Sequence, residues 1–304
     1  MKYIYKKGDL NWVDLHQPTR KEVIEVMSEY TINPVVADDL LSPTPKNTTM
    51  ALPHELYVVL HFPAFRQSHG QDSHDQEIDI VIKENTIITI HYEGIDSLNS
   101  YKKKVERILA SSEKSELLNI GYLFFMLLHE LYSASYSELE AIDAEIKVGE
   151  EKVFAGEEKD MVKKLSEISR KIINFKGLIL PHREVLESIV SELPIYIEID
   201  KVSINNMMSE YFRVKNTLSG LSDTLSELRH TNDSLLSTKQ NETIKILTIL
   251  AFVTFPLTLI AGIFGMNTQE TPLIGRSHDF FIILAIMITL TLVMFSVFKY
   301  KKWL

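Results

Sequence analysis

The residues best suited to handle an ion are neutral oxygen donors strung along one apolar segment. Asn241, Thr248 and Thr258 lead into Gly265-Met266-Asn267, which stands at the exit of an uncharged run from Ile246 to Phe264. A bare Mg²⁺ demands near-ideal octahedral oxygen ligation and dehydrates reluctantly. Asn amides, Thr hydroxyls and backbone carbonyls can instead accept hydrogen bonds from the waters of a hydrated cation, which selects by size without stripping the shell. Leu247, Leu250 and Phe255 recur at helical spacing among these polar groups. They could form apolar constrictions that gate by dewetting, or they could face lipid.

Such residues need elements that cross a membrane. A second uncharged run, Phe280 to Phe298, follows the first, and each has about the 20 residues that span a ~30 Å hydrocarbon core. The expected membrane domain is 241–304: a first span at about 246–265, an outer loop at 268–279, a second span at about 280–298, and a basic tail. Lys239 and Lys245 precede the first span, and Lys299, Lys301 and Lys302 follow the second, against a lone Arg276 in the loop. Lysine and arginine excess marks the cytoplasmic side, so both termini are expected inside a plasma (inner) membrane. Tyr300 and Trp303 suit its interfacial belt. No proline interrupts the stretch from about Ser203 to Pro256, so one helix of roughly 60 residues, on the order of 90 Å, should leave the soluble part and enter the membrane. Pro256 implies a kink, and Ala261, Gly262 and Gly265 would let neighbouring backbones approach closely. Two spans cannot enclose a pore, so conduction requires a ring of identical subunits.

Everything before the spans reads as water-soluble. In the 304-residue chain the net charge of −9 argues against nucleic acid as a partner, and the lack of cysteine excludes disulfides and thiolate metal sites. The N-terminus lacks a signal-peptide apolar core. Residues 1–111 are expected to form a cytoplasmic α/β domain, with strands over 56–62, 78–82 and 86–91. Helices are expected over Thr19–Tyr30, with Thr19 as N-cap and Glu22 at capping-box distance, and over Ser97–Ala110. Pro43–Thr49 and Arg66–Gln76 read as loops. Residues 112–240 read as helical: Leu117–Leu128 as a buried core helix, the acidic stretch Glu138–Asp160 as part of a hairpin turning at Gly156, and Pro181 and Pro194 as boundaries at a helix start or in a turn.

Several segments together resemble one family. Phe264-Gly265-Met266-Asn267 is preceded by Asn241-Glu-Thr-Ile-Lys245-Ile-Leu-Thr248 and Phe255-Pro-Leu-Thr258-Leu-Ile-Ala-Gly262. Upstream lie Asn11-Trp-Val-Asp-Leu15, His54-Glu-Leu-Tyr-Val-Val-Leu-His61 and Pro181-His-Arg-Glu-Val-Leu186, and the chain ends basic-Trp-Leu. This order is similar to that of the CorA family of divalent-cation channels, whose signature is an aromatic residue followed by Gly-Met-Asn. The resemblance implies a funnel-shaped homopentamer in the bilayer and a stalk helix continuing into the first span. It also implies transport of hydrated Mg²⁺, with Co²⁺ possible, and no cofactor. It makes Asn267 the outer selectivity ring beside the carbonyls of Gly265 and Met266, Thr258 a ring further in, Leu247 the gate and Asn241 the cytoplasmic mouth. Glu138–Asp160 would be its acidic side helices. Departures exist: Leu273 replaces the glutamate that many members carry after the loop proline, with Glu270 as a substitute, and Arg66 and Asn206 or Met207 stand where sensing acids are expected.

Two other readings use the same residues. Transport of Zn²⁺, Co²⁺ or Ni²⁺ would favour imidazole or thiolate ligands, and the membrane hairpin has one histidine, His278. A membrane scaffold would need no Asn267. An enzyme is disfavoured: the two His-Glu-Leu-Tyr segments lack a zincin's second histidine and there is no P-loop.

Overall fold

The computed structural model describes residues 1–63, 75–110, 119–266, 275, 278–301 and 303. Strands β1 (Lys2–Lys7), β2 (Leu10–His16), β3 (Thr48–Leu52), β4 (Glu55–Phe62), β5 (Gln76–Lys83) and β6 (Thr86–His91) form one sheet in the order β1-β2-β6-β5-β4-β3. Only β2 and β6 pair in parallel; the other neighbours are antiparallel. The central strands β4, β5 and β6 are buried on both faces, which is why they read as nearly continuous β-branched runs.

One face carries Val13, Leu15, Tyr57, Val59, Val81, Ile88 and Ile90 against α1 (Arg20–Tyr30) and α2 (Pro34–Asp39). Helix α1 starts as expected: Thr19 Oγ1 accepts from the Glu22 amide, and the Glu22 carboxylate accepts from the Thr19 amide. On the other face Trp12 Nε1 donates to Thr89, and Thr89 donates to the buried Asp14 at 2.6 Å. Lys102, on α3 (Asp96–Ala110), lies 2.8 Å from the same carboxylate. Burial alone would raise the Asp14 pKa; His91, Lys102 and Thr89 together hold it below the usual carboxylate value.

Four helices follow: α4 (Ile120–Phe154), α5 (Glu158–Ile179), α6 (His182–Tyr196) and α7 (Lys201–Phe264). Of the core helix expected over 117–128, residues 117 and 118 lie outside the described residues and the remainder from Ile120 opens the 35-residue α4, which also contains most of the acidic stretch. Its buried period runs on through Leu139, Ile142, Ile146 and Val153, so the change in composition does not end the helix. Gly156, at φ +95°, makes the turn into α5. Pro181 caps α6, whereas Pro194 lies inside its last turn rather than at a boundary. Thr48 and Thr49 belong to β3, not to a loop.

His182 knits α6 to the sheet and to α4. Its Nε2 lies 2.9 Å from the His61 carbonyl and its Nδ1 2.9 Å from Tyr132 Oη. Burial lowers its pKa to about 3, so the ring is neutral: Nε2–H donates to the carbonyl and Nδ1 accepts from the tyrosine. The chain divides into two compact units, Met1–Arg229 and His230–Leu304, with α7 contributing to both.

Candidate functional site

The second unit consists of the later part of α7, then α8 (Asp279–Tyr300) and the tail. Both helices are long and apolar enough to cross a membrane, and neither buries its apolar stretch within the chain. Leu247 is 59% exposed and Phe255 73%. Lipid or other copies must therefore cover these surfaces.

At about 100° per residue, Asn241, Thr248, Phe255, Thr258 and Leu247 fall within one arc of about 120° on α7. Ile244 and Ala251 fill the same arc, while Leu250 lies about 60° beyond Leu247, outside it. The threonine hydroxyls in the apolar stretch of this helix share one arrangement. Thr248 Oγ1 donates to the Ile244 carbonyl at 2.8 Å and Thr258 Oγ1 to the Thr254 carbonyl at 2.9 Å; Thr254 Oγ1 donates likewise to Leu250. Each hydroxyl proton is thus committed to the helix, leaving the oxygen's lone pairs as acceptors. Pro256 sits inside the helix without ending it.

Helix α7 ends at Phe264, and the Gly265 amide donates to the Ala261 carbonyl at 2.9 Å. A Cβ at position 265 would stand 2.8 Å from that same oxygen. Glycine is therefore required for the chain to leave the helix here. Met266 is exposed. Asn267 and Glu270 lie outside the described residues, as do Arg66, Leu273 and Arg276.

At the other end of the hairpin, Asp279 accepts from the amides of Gly275 and Phe280. Past α8, Trp303 stacks on Phe298 at 6.0 Å and 10°, and its amide donates to the Phe298 carbonyl. Phe298 is the one buried residue of α8.

Among the described residues, no group of three or more His, Asp or Glu is placed to hold a metal ion. The acidic stretch is partly neutralised within the chain: Lys171 lies 2.8 Å from Glu145, and Lys147 pairs with Asp143. Asp200 accepts from the Ser203 amide and hydroxyl at the start of α7, and both bonds lower its pKa. Glu210 lies 2.9 Å from His129 Nδ1. Helical spacing alone groups Leu250 with Leu247 and Phe255, from which the arc separates it; the back-bonded hydroxyls and the crowding at Gly265 carry no sequence signal of their own.

A mixed α/β unit that hands one unbroken helix to a pair of C-terminal spans defines a two-span membrane protein with a large extramembrane domain. The model of the CorA-like Mg²⁺ transporter protein family matches residues 7–301, and the chain belongs to that family. It is 27% identical over 296 residues to the cobalt/magnesium transport protein CorA of Thermotoga maritima, covering 96% of this chain and 83% of that one. Against the protein of the same name from Methanocaldococcus jannaschii the identity is 23%, over 97% and 92%. The complete structure of the CorA magnesium transporter from Methanocaldococcus jannaschii superposes with a TM-score of 0.83 at 19% identity, covering 99% of this chain and 93% of that chain. Full-length CmaX gives 0.74 at 14%, over 97% and 89%.

Proposed function

We propose that the chain assembles as a homopentamer in the plasma membrane and conducts hydrated Mg²⁺ into the cytoplasm, both termini lying on that side. The observation that carries the reading is the α7 arc. Its threonine oxygens offer acceptors only, which suits the outward-pointing hydrogens of a cation's water shell and gives nothing to an anion. Asn267, with the carbonyls of Gly265 and Met266, forms the outer filter. Thr258, Phe255 and Thr248 line the path, Leu247 closes it by dewetting, and Asn241 rings the mouth. Glu270 gathers cations at the outer loop. Leu247 is favoured over Leu250 as the gate because it shares the arc with Thr258.

Uptake needs no hydrolysis. The membrane potential supplies about 4.6 kcal/mol for a divalent ion at 100 mV, on a per-charge value of ~2.3 kcal/mol. Co²⁺ is the second cargo, since the Thermotoga and Methanocaldococcus relatives are cobalt/magnesium transport proteins and an outer-shell filter discriminates weakly between hexahydrated ions of similar size.

The test is flux into liposomes carrying the purified protein, with Mg²⁺, Co²⁺, Ni²⁺ and Zn²⁺ run in parallel. Asn267→Ala is expected to lose selective Mg²⁺ entry while the oligomer stays assembled. Unchanged entry would remove Asn267 from the filter, and no flux of any ion from an intact oligomer would favour a scaffold.

A further inference from the structure

A cavity of about 600 Å³ opens in the first unit where three helices converge. Helix α3 supplies Lys104, Arg107 and Ile108; α4 supplies Tyr122, Phe125, Met126, His129 and Glu130; α7 supplies Asn206, Ser209 and Glu210. On each helix these residues recur at three- and four-residue spacing, so three continuous faces meet. The volume falls within the ~300–1,000 Å³ of small-molecule sites.

The lining is chemically sorted. Tyr122 is exposed and Phe125 only part-buried, although Leu123, Phe124 and Leu127 on the neighbouring face of α4 are buried. Lys104 pairs with Glu130, and His129 Nδ1 lies 2.9 Å from Glu210. Arg107 is exposed and makes no ion pair among the described residues. On the α7 wall the Ser209 hydroxyl donates to the Asn205 carbonyl at 2.9 Å, so its oxygen is left to accept, beside the exposed Asn206 amide.

We infer that this cavity binds a nucleoside monophosphate. The aromatic rings take the base by stacking, which every nucleobase permits. The unpaired guanidinium takes the phosphate as a bidentate partner. Ser209 and Asn206 accept from the sugar hydroxyls. One guanidinium offers one bidentate fork, which matches a single phosphate rather than a triphosphate chain. A second copy of this chain seated in the groove would need an acidic side chain beside an aromatic one and would register as a change in assembly.

Calorimetric titration of the full-length protein in detergent decides the matter, with AMP, GMP and UMP as ligands and adenosine and inorganic phosphate as the separated halves. At least one nucleotide is expected to bind once per chain, with adenosine and phosphate each about tenfold weaker or more. Arg107→Gln should bring the nucleotide down to the affinity of its nucleoside, and Phe125→Leu should weaken nucleotide and nucleoside alike, with elution volume and Tm unchanged in both. The inference is overturned if no nucleotide binds, if phosphate alone binds as tightly, if Arg107→Gln leaves nucleotide affinity unaltered, or if it shifts the elution volume. Because the readout is binding and not flux, failure here leaves the pore reading untouched, and the reverse also holds.

Discussion

Asp79 is a carboxyl group that the fold keeps protonated. It is fully buried on β5, and its Oδ2 accepts from the Tyr57 and Tyr92 hydroxyls at 3.3 and 3.4 Å. Burial, with the Glu77 carboxylate beside it, pushes its pKa up to about 9. An unfolded aspartate ionises near ~3.9. Between those values the unfolded chain has released a proton that the native one retains, so stability falls as pH rises through that window and levels off above it. Asp79→Asn keeps the size and the acceptor but cannot ionise. It should raise Tm by several degrees at about pH 8, at roughly 2–4 °C per kcal/mol, and flatten the decline; thermal melts of both proteins across the window would show this, and a variant with the wild-type slope would place the titration elsewhere. Individual residues of this kind were visible in the sequence and their partners were not. Trp12, Asp14, His61 and His182 all stand in the segments that carry the family resemblance, yet they turn out to be buried joints between elements far apart in the chain. Pairings such as His182 to His61, 121 residues away, follow from tertiary packing that no local pattern encodes.

At the scale of elements, local chemistry explains what could be read. The capping box at Thr19 and the uncharged spans announce themselves within a few residues. Strands β1 and β2 do not: β1 is a lysine-bearing edge strand, and β2 finds its parallel partner β6 more than 70 residues later. The length of α4 was hidden for the opposite reason, since its solvent face turns acidic while its buried face keeps the same period. The groove between α3, α4 and α7 is illegible in principle, because each helix contributes only an ordinary amphipathic stripe. For α7 the back-bonded threonines give a sharp test. Thr258→Ser keeps an oxygen that can accept from ion-bound water, whereas Thr258→Val keeps the shape and removes it. Flux should survive in the serine variant and fall about tenfold or more in the valine variant, as for a step that loses one hydrogen-bonding ring. Equal flux in both would move the ion's contacts off that ring.

For the whole molecule, the exposed spans decide what the chain must do next. Leu247, Phe255, Phe280 and Phe281 are all largely uncovered, and a single hairpin has no interior in which to hide polar groups. Light scattering of the detergent-solubilised protein, corrected for detergent, should give five times the 34.9 kDa chain mass; a dimer would be too small to enclose a path along the Thr258 arc. Pro256 adds a mechanical consequence. The helix that ends one unit and begins the other has a regular backbone ladder up to Phe255, and at Pro256 one rung is missing because proline offers no amide to the carbonyl four residues back. A rod with a single compliant point concentrates its bending there. Torque delivered along α7 would therefore carry Leu247 as part of the stiff shaft, while the short segment from Thr258 to Gly265 would tilt on its own. Leu247 and Gly265 would then lie on opposite sides of one elbow, so one could move without disturbing the other.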